Sequence, residues 1–190
     1  MKKLLAGTAA VSLCICLLQS CGSGNNQDKK DSVDSAKTVN DQKGTVDKNV
    51  SDFVAKAASG GMMEVQLGQY ASQNAVMPRV KSFGAMMVTD HTKANEELKT
   101  LAAAHSIAIP TDVAEEHKKH MDDLMQKKGK DFDQAYVDMM IDDHKKDISE
   151  FQKAASSLND TTIRGFAQRT LPVLQKHLDS INAIKSGMKK

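Results

Sequence analysis

The sequence predicts an all-α domain, an antiparallel four-helix bundle with one extra short helix between its two hairpins, and three observations carry that reading. From Val50 to the end, apolar residues recur at helical spacing. No run of alternating β-branched residues suggests a strand. The breakers are few and cluster near Pro78, in SIAIPTD around Pro110, at Gly129 and in LNDTT, so they leave four long segments and one short one. Long helices joined by short connections pack antiparallel.

Ahead of the helical region, MKKLLAGTAAVSLCICLLQSC has a basic start at Lys2 and Lys3, a short apolar run and the small Ser20 before Cys21. This is the layout of an export signal, residues 1–20, too short for a membrane span. Leu18-Gln19-Ser20-Cys21 resembles a bacterial lipobox, which implies cleavage before Cys21 and a lipid anchor on that cysteine; an ordinary cleaved signal is the alternative. Gly22, rather than Asp, follows the cysteine, and by the same resemblance the outer membrane is the expected location. With Cys14 and Cys16 removed in the signal, Cys21 has no internal partner for a disulfide. Residues 21–49 are rich in Asp, Lys, Ser and Asn without apolar periodicity, which reads as a flexible tether. Removal of Lys2 and Lys3 leaves as many basic as acidic residues, and aromatic residues are scarce. Such a chain has no basic face or stacking platform for nucleic acid.

The first long helix is expected from about Val50 to Ala75, capped by Ser51 or Asn49, with Val50, Phe53, Val54, Ala57, Gly61, Val65, Gly68 and Ala71 on its inward stripe. Glu64 lies on that stripe. Pro78 suits the first turn of the second helix, which runs to about His105 and carries His91 in the middle of its apolar face. Thr111 or Asp112 caps a short charged helix from Val113 to about Lys128, and Gly129 stops it. The fourth helix, about Asp131 to Ser157, places His144 among Tyr136, Met140, Phe151, Ala154 and Leu158. The last, about Thr161 to Met188, holds its apolar register across Pro172 and includes His177. The bundle domain is therefore residues 50–188.

The depth of each polar residue follows from its distance to the nearest turn. At ~1.5 Å per residue, Glu64 and His91 differ by only ~3 Å in height, and His144 and His177 by ~4 to 5 Å. Each pair meets near mid-helix, so one carboxylate and three imidazoles can converge at the bundle centre. Such groups are costly to desolvate unpartnered, and a metal ion supplies a partner. The donor set suits a single Zn, Fe, Mn or Cu ion and does not choose among them. Asp90, Asp143 and Asp147 are placed to orient the imidazoles. Met87 and Met140 stand four residues before His91 and His144, and doublets such as Met86-Met87 raise the prospect of Cu(I) against the plainer role of core filling. The alternative for the whole cluster is a metal-free polar network that fixes helix register. His105 falls at a helix end, and His117 with His120 could form a surface pair.

The blocks SDFVAKAASGGMMEVQLGQYASQNA, VKSFGAMMVTDHTKANEELKTLA, GKDFDQAYVDMMIDDHKKDISEFQKAA and TLPVLQKHL resemble, in order and spacing, the bacterial envelope family called domain of unknown function 4142 over roughly residues 50–185. The resemblance implies a ferritin-like bundle and a metal centre, with the family's Glu on Glu64, its Asp-His on Asp90 and His91, its second His on His144, and its Leu-Pro and later His on Leu171, Pro172 and His177. Ferritin-like di-iron sites pair Glu-x-x-His on two helices, whereas Val88, Ile141 and Leu174 stand three residues before the histidines here. The expectation is a lipid-anchored envelope protein that handles a metal or protects against stress. A metal-free interaction lipoprotein and a metal-dependent redox enzyme are the alternatives; protein partners and oligomeric state are left open. No nucleophile triad or phosphate-binding loop is discernible.

Overall fold

A computed structural model describes residues 31–188 of the chain. Six helices follow one another: α1 (Ser32–Lys43), α2 (Lys48–Asn74), α3 (Pro78–Ala104), α4 (Glu115–Met125), α5 (Gly129–Ser157) and α6 (Thr161–Met188). No strand occurs among the described residues, and none of their helices is long and apolar enough to cross a membrane. The expected signal and Cys21 lie outside the described residues.

Helix α1 corrects the reading of residues 21–49 as tether, because Ser32–Lys43 folds although it lacks an apolar stripe. Its attachment is polar. Asp31 caps two helices at once, accepting from the Val33 amide at 2.7 Å and the Glu115 amide at 2.7 Å. Asn40 is fully buried; its Nδ2 donates to Ser51 Oγ at 2.9 Å and to the Ala108 carbonyl at 3.0 Å, and its Oδ1 accepts from the Ala108 amide at 2.7 Å. Asn40→Ala would leave these buried groups unpartnered, and a loss of about 3 kcal/mol is expected. Urea unfolding checks the magnitude, and limited proteolysis should then cut first between residues 31 and 47; unchanged stability and cleavage would contradict the account.

The other boundaries fall close to expectation. Asp47, rather than Ser51 or Asn49, caps α2 by accepting from the Asn49 and Val50 amides. Pro78 opens α3, and Met77 at its cap position offers no side-chain acceptor. Just ahead of the helix the backbone is held from α5: the buried Asp133 accepts from the Val76 amide at 3.0 Å and the Met77 amide at 2.7 Å. Gly129 takes a positive φ of 59° where the chain turns from α4 into α5. Helix α6 continues through Pro172 as one element.

Helix α2 packs against α3, α5 against α6, α3 against α6 and α2 against α5. Helices α2 and α3 come close at Gly68 and Gly84, where a Cβ on either would fall 2.7 or 2.8 Å from the carbonyl oxygen of the other. Two apolar clusters fill the interior, one around Leu67, Met87, Met140 and Ile181, the other around Ala58, Leu98, Phe151 and Leu174. On each long helix, the buried polar residue of interest falls in sequence between a member of one cluster and a member of the other. The polar layer therefore separates two greasy layers.

Candidate metal centre

Glu64 of α2, His91 of α3, His144 of α5 and His177 of α6 meet in that layer. Glu64 is 2% exposed, His91 6%, and His144 and His177 are fully buried. His91 Nδ1 lies 2.9 Å from Glu64 Oε2, and His144 Nδ1 lies 3.5 Å from Glu64 Oε1. His144 Nε2 is 3.3 Å from His177 Nδ1, so the height offset counted along the sequence is absorbed. His177 Nε2 is 2.9 Å from Asp90 Oδ2. The expected convergence of one residue from each long helix is present.

The hydrogen-bond partners assign the protons. His144 Nδ1 donates to the Met140 carbonyl at 2.9 Å, which leaves Nε2 as a lone pair. His177 Nε2 donates to the Asp90 carboxylate, which leaves Nδ1 as a lone pair. In that assignment the two ring nitrogens, 3.3 Å apart, both present lone pairs. When Glu64 is ionised, His91 Nδ1 donates to its Oε2 at 2.9 Å; His91 Nε2 is buried with no partner, as is Glu64 Oε1. Each ring thus has one nitrogen held by an oxygen acceptor and one nitrogen free. This is the arrangement in which imidazoles ligate metals, the held N–H fixing tautomer and ring direction. One ligand atom from each of His91, His144 and His177 lies within 4.8 Å of the others, so the three could hold a metal ion.

Burial dominates the electrostatics. It pushes the pKa of His91 and of His144 down to about 4, and it lowers that of His177 against the pull of Asp90. It pushes Glu64 up to about 7 from 4.5. The imidazoles are consequently neutral at neutral pH and need release no proton to ligate.

The same shifts set opposed pH dependences. The unfolded chain protonates its histidines below about 6.5 while the native state refuses those protons, so this part of the stability falls as pH drops from 6.5 to 4. Native Glu64 keeps a proton that the unfolded chain releases above 4.5, so its part falls as pH rises from 4.5 to 7. Glu64→Gln keeps an acceptor for His91 and cannot ionise. Metal-free, it should gain on the wild type by up to about 3 kcal/mol between pH 5 and pH 8. Urea unfolding in a chelator at both pH values measures this, and an equal difference at the two would show that Glu64 is not desolvated.

Of the other residues singled out in the sequence, Asp90 orients His177 rather than its neighbour His91. Met140 contributes its backbone carbonyl, and Met87 is fully buried in the apolar core. Asp143 and Asp147 line a cleft between α2, α4 and α5. His117 Nδ1 is 3.3 Å from Ser59 Oγ, while His105 caps the end of α3 and pairs with Asp160 at 2.9 Å. Sequence reasoning missed three neighbours of the centre. Tyr136, assigned only to the apolar face, has a buried hydroxyl without a partner, and burial together with the charge of Glu64 pushes its pKa up. A tyrosine on a core stripe carries a hydroxyl that needs a partner, and that signal was available. Phe83 packs its ring edge-on against His144 and His177 at 6.5 and 6.3 Å. Asn95 occupies space that only a glycine at position 61 leaves, since a Cβ there would stand 2.1 Å from Asn95 Oδ1.

Fold and site define an all-helical protein whose long helices converge on a buried imidazole cluster able to hold a metal ion. The chain belongs to the family described as Domain of unknown function (DUF4142), whose model matches residues 35–184 and so takes in most of α1 as well as the four long helices. No curated protein and no solved structure matches the chain.

Proposed function

We propose that the four long helices form a ferritin-like four-helix bundle that binds a single transition metal ion through His91, His144 and His177. The pairing of each ring with an oxygen acceptor on one nitrogen, and a free or opposed lone pair on the other, carries this reading. Glu64 and Asp90 would hold the rings, and the unpartnered Glu64 Oε1 would be available for a fourth position. The ion would bring positive charge to a layer where lone pairs otherwise confront one another, and imidazole donors suit zinc, copper or iron.

The cavity lined by Glu64 and His91 measures about 30 Å³, room for one water-sized molecule and no organic substrate. That favours holding or delivering an ion over turnover of a large substrate. With a signal at residues 1–20 and a lipid on Cys21, the bundle would be tethered at the cell envelope, on the outer membrane, and serve metal handling or stress protection there. The test is reconstitution of the metal-free chain with Zn²⁺, Cu²⁺, Fe²⁺ and Mn²⁺ in turn, followed by desalting and elemental analysis. About one ion per chain is expected for at least one of them, and a chain that retains none would end the metal reading.

A further inference from the structure

Two cavities share a wall between α2 and α5. The inner one is the small cavity beside Glu64 and His91. The outer one is an open cleft of about 270 Å³ between α2, α4 and α5. Only Gly60 and Asp147 line both. The outer cleft is rich in carboxyl groups, with Glu116, Asp143, Asp147 and Glu150 set against two ammonium groups, Lys56 and Lys146, and two imidazoles, His117 and His120. Lys56 is engaged with Glu150 at 3.3 Å, and Lys146 lies 3.9 Å from Asp143 Oδ1, which leaves Asp143 Oδ2 buried without a partner. Glu64, Asp143 and Glu150 are all near enough for their charges to act on Asp147. A run of carboxyl groups therefore leads from solvent to the orphaned Glu64 Oε1 and His91 Nε2; burial raises the pKa of Asp143 and Asp147, and an arriving cation favours their ionised form.

We propose that Gly60 and Asp147 form the passage by which a divalent cation moves from this acidic cleft to the buried imidazoles, with Asp147 as the carboxylate that carries it across the wall. The proposal rests on the metal-binding reading above. A buried site can strip an ion of its water only where other ligands replace that water, and successive carboxylate oxygens supply them. Asp147 stands where the transfer must occur. Gly60 matters for what it lacks: it lines both cavities, and a Cβ there meets nothing within 4 Å, so this position of the shared wall accepts a side chain without a Cβ clash.

The experiment follows uptake of Co²⁺ by the metal-free chain through its visible absorption in stopped flow, and release to excess chelator. Asp147→Asn and Gly60→Leu should each slow uptake and release by roughly tenfold or more while the cobalt bound per chain at equilibrium is unchanged. Asp147→Glu, which restores the carboxylate, should recover most of the rate. Wild-type rates in both slow-path variants would overturn the route. So would a lower final cobalt content with an unchanged circular dichroism spectrum, because the altered residue would then hold the ion rather than pass it. A wild-type chain that binds no Co²⁺ would instead remove the site itself, and the route with it.

Discussion

Zinc is expected to stabilise the wild-type chain strongly and to leave His144→Leu unmoved. A ligand that binds only the native state adds RT ln(1 + [L]/Kd), about 4 kcal/mol at a free concentration a thousand times Kd. His144 is the variant of choice because its ring touches both other histidines, with centroids 5.8 Å from His91 and 5.3 Å from His177. Leucine keeps most of the volume filled, which limits the cavity cost that alanine would incur. It also removes the confrontation of His144 Nε2 with His177 Nδ1. Without metal, His144→Leu should therefore be at least as stable as the wild type, as when a buried polar pair is exchanged for apolar packing. Thermal unfolding of both chains with chelator and with zinc gives the four values required. If zinc raised both midpoints equally, the ion would be binding elsewhere, with His117 and His120 the first place to look.

Gly84→Ala is expected to destabilise the chain by about 2 kcal/mol, although alanine is the better helix former. Intrinsic propensity would favour alanine by about 1 kcal/mol. Against that, the new Cβ would lie 2.7 Å from the Gly68 carbonyl oxygen and 2.9 Å from the Ser72 amide nitrogen. Both are backbone atoms and cannot swing aside, so α2 and α3 must part, and overpacking of this kind costs about 1 to 3 kcal/mol or more. The separation also carries Glu64 on α2 away from His91 on α3, and metal affinity should fall with stability. Gly60→Ala supplies the contrast: its Cβ meets nothing, so only the propensity gain remains and the sign reverses. Opposite shifts in urea midpoint for the two variants support the close crossing; equal shifts would contradict it.

How far the chain was legible depends on what carries each feature. Long helices were legible because apolar periodicity records them, and the shared layer followed from counting residues to a turn, since the rise per residue is fixed. Helix α1 was not, because Asp31 and Asn40 hold it through hydrogen bonds to backbone distant in sequence, at the start of α4 and in the loop before it. Composition sees those residues only as polar. The buried Asp133 was hidden for the same reason, being an acceptor supplied across the fold to the Val76 and Met77 amides. Within the site, the residue types were readable and their pairing was not. Asp90 adjoins His91 in sequence yet holds His177, because neighbours on a helix point about 100° apart and α6 lies across from it. Met140 was read for its sulfur and acts through its carbonyl, which any residue at that position would offer.

In the proposed centre three imidazole nitrogens, each freed by an oxygen acceptor on the opposite side of its ring, share one ion. X-ray absorption at the zinc edge of the zinc-loaded chain tests it most directly. The expected spectrum shows three imidazole nitrogens at about 2.0 to 2.1 Å with any remaining ligand an oxygen, and His144→Leu should abolish the bound zinc. A first shell with sulfur, or with fewer than three imidazoles, would contradict the assignment.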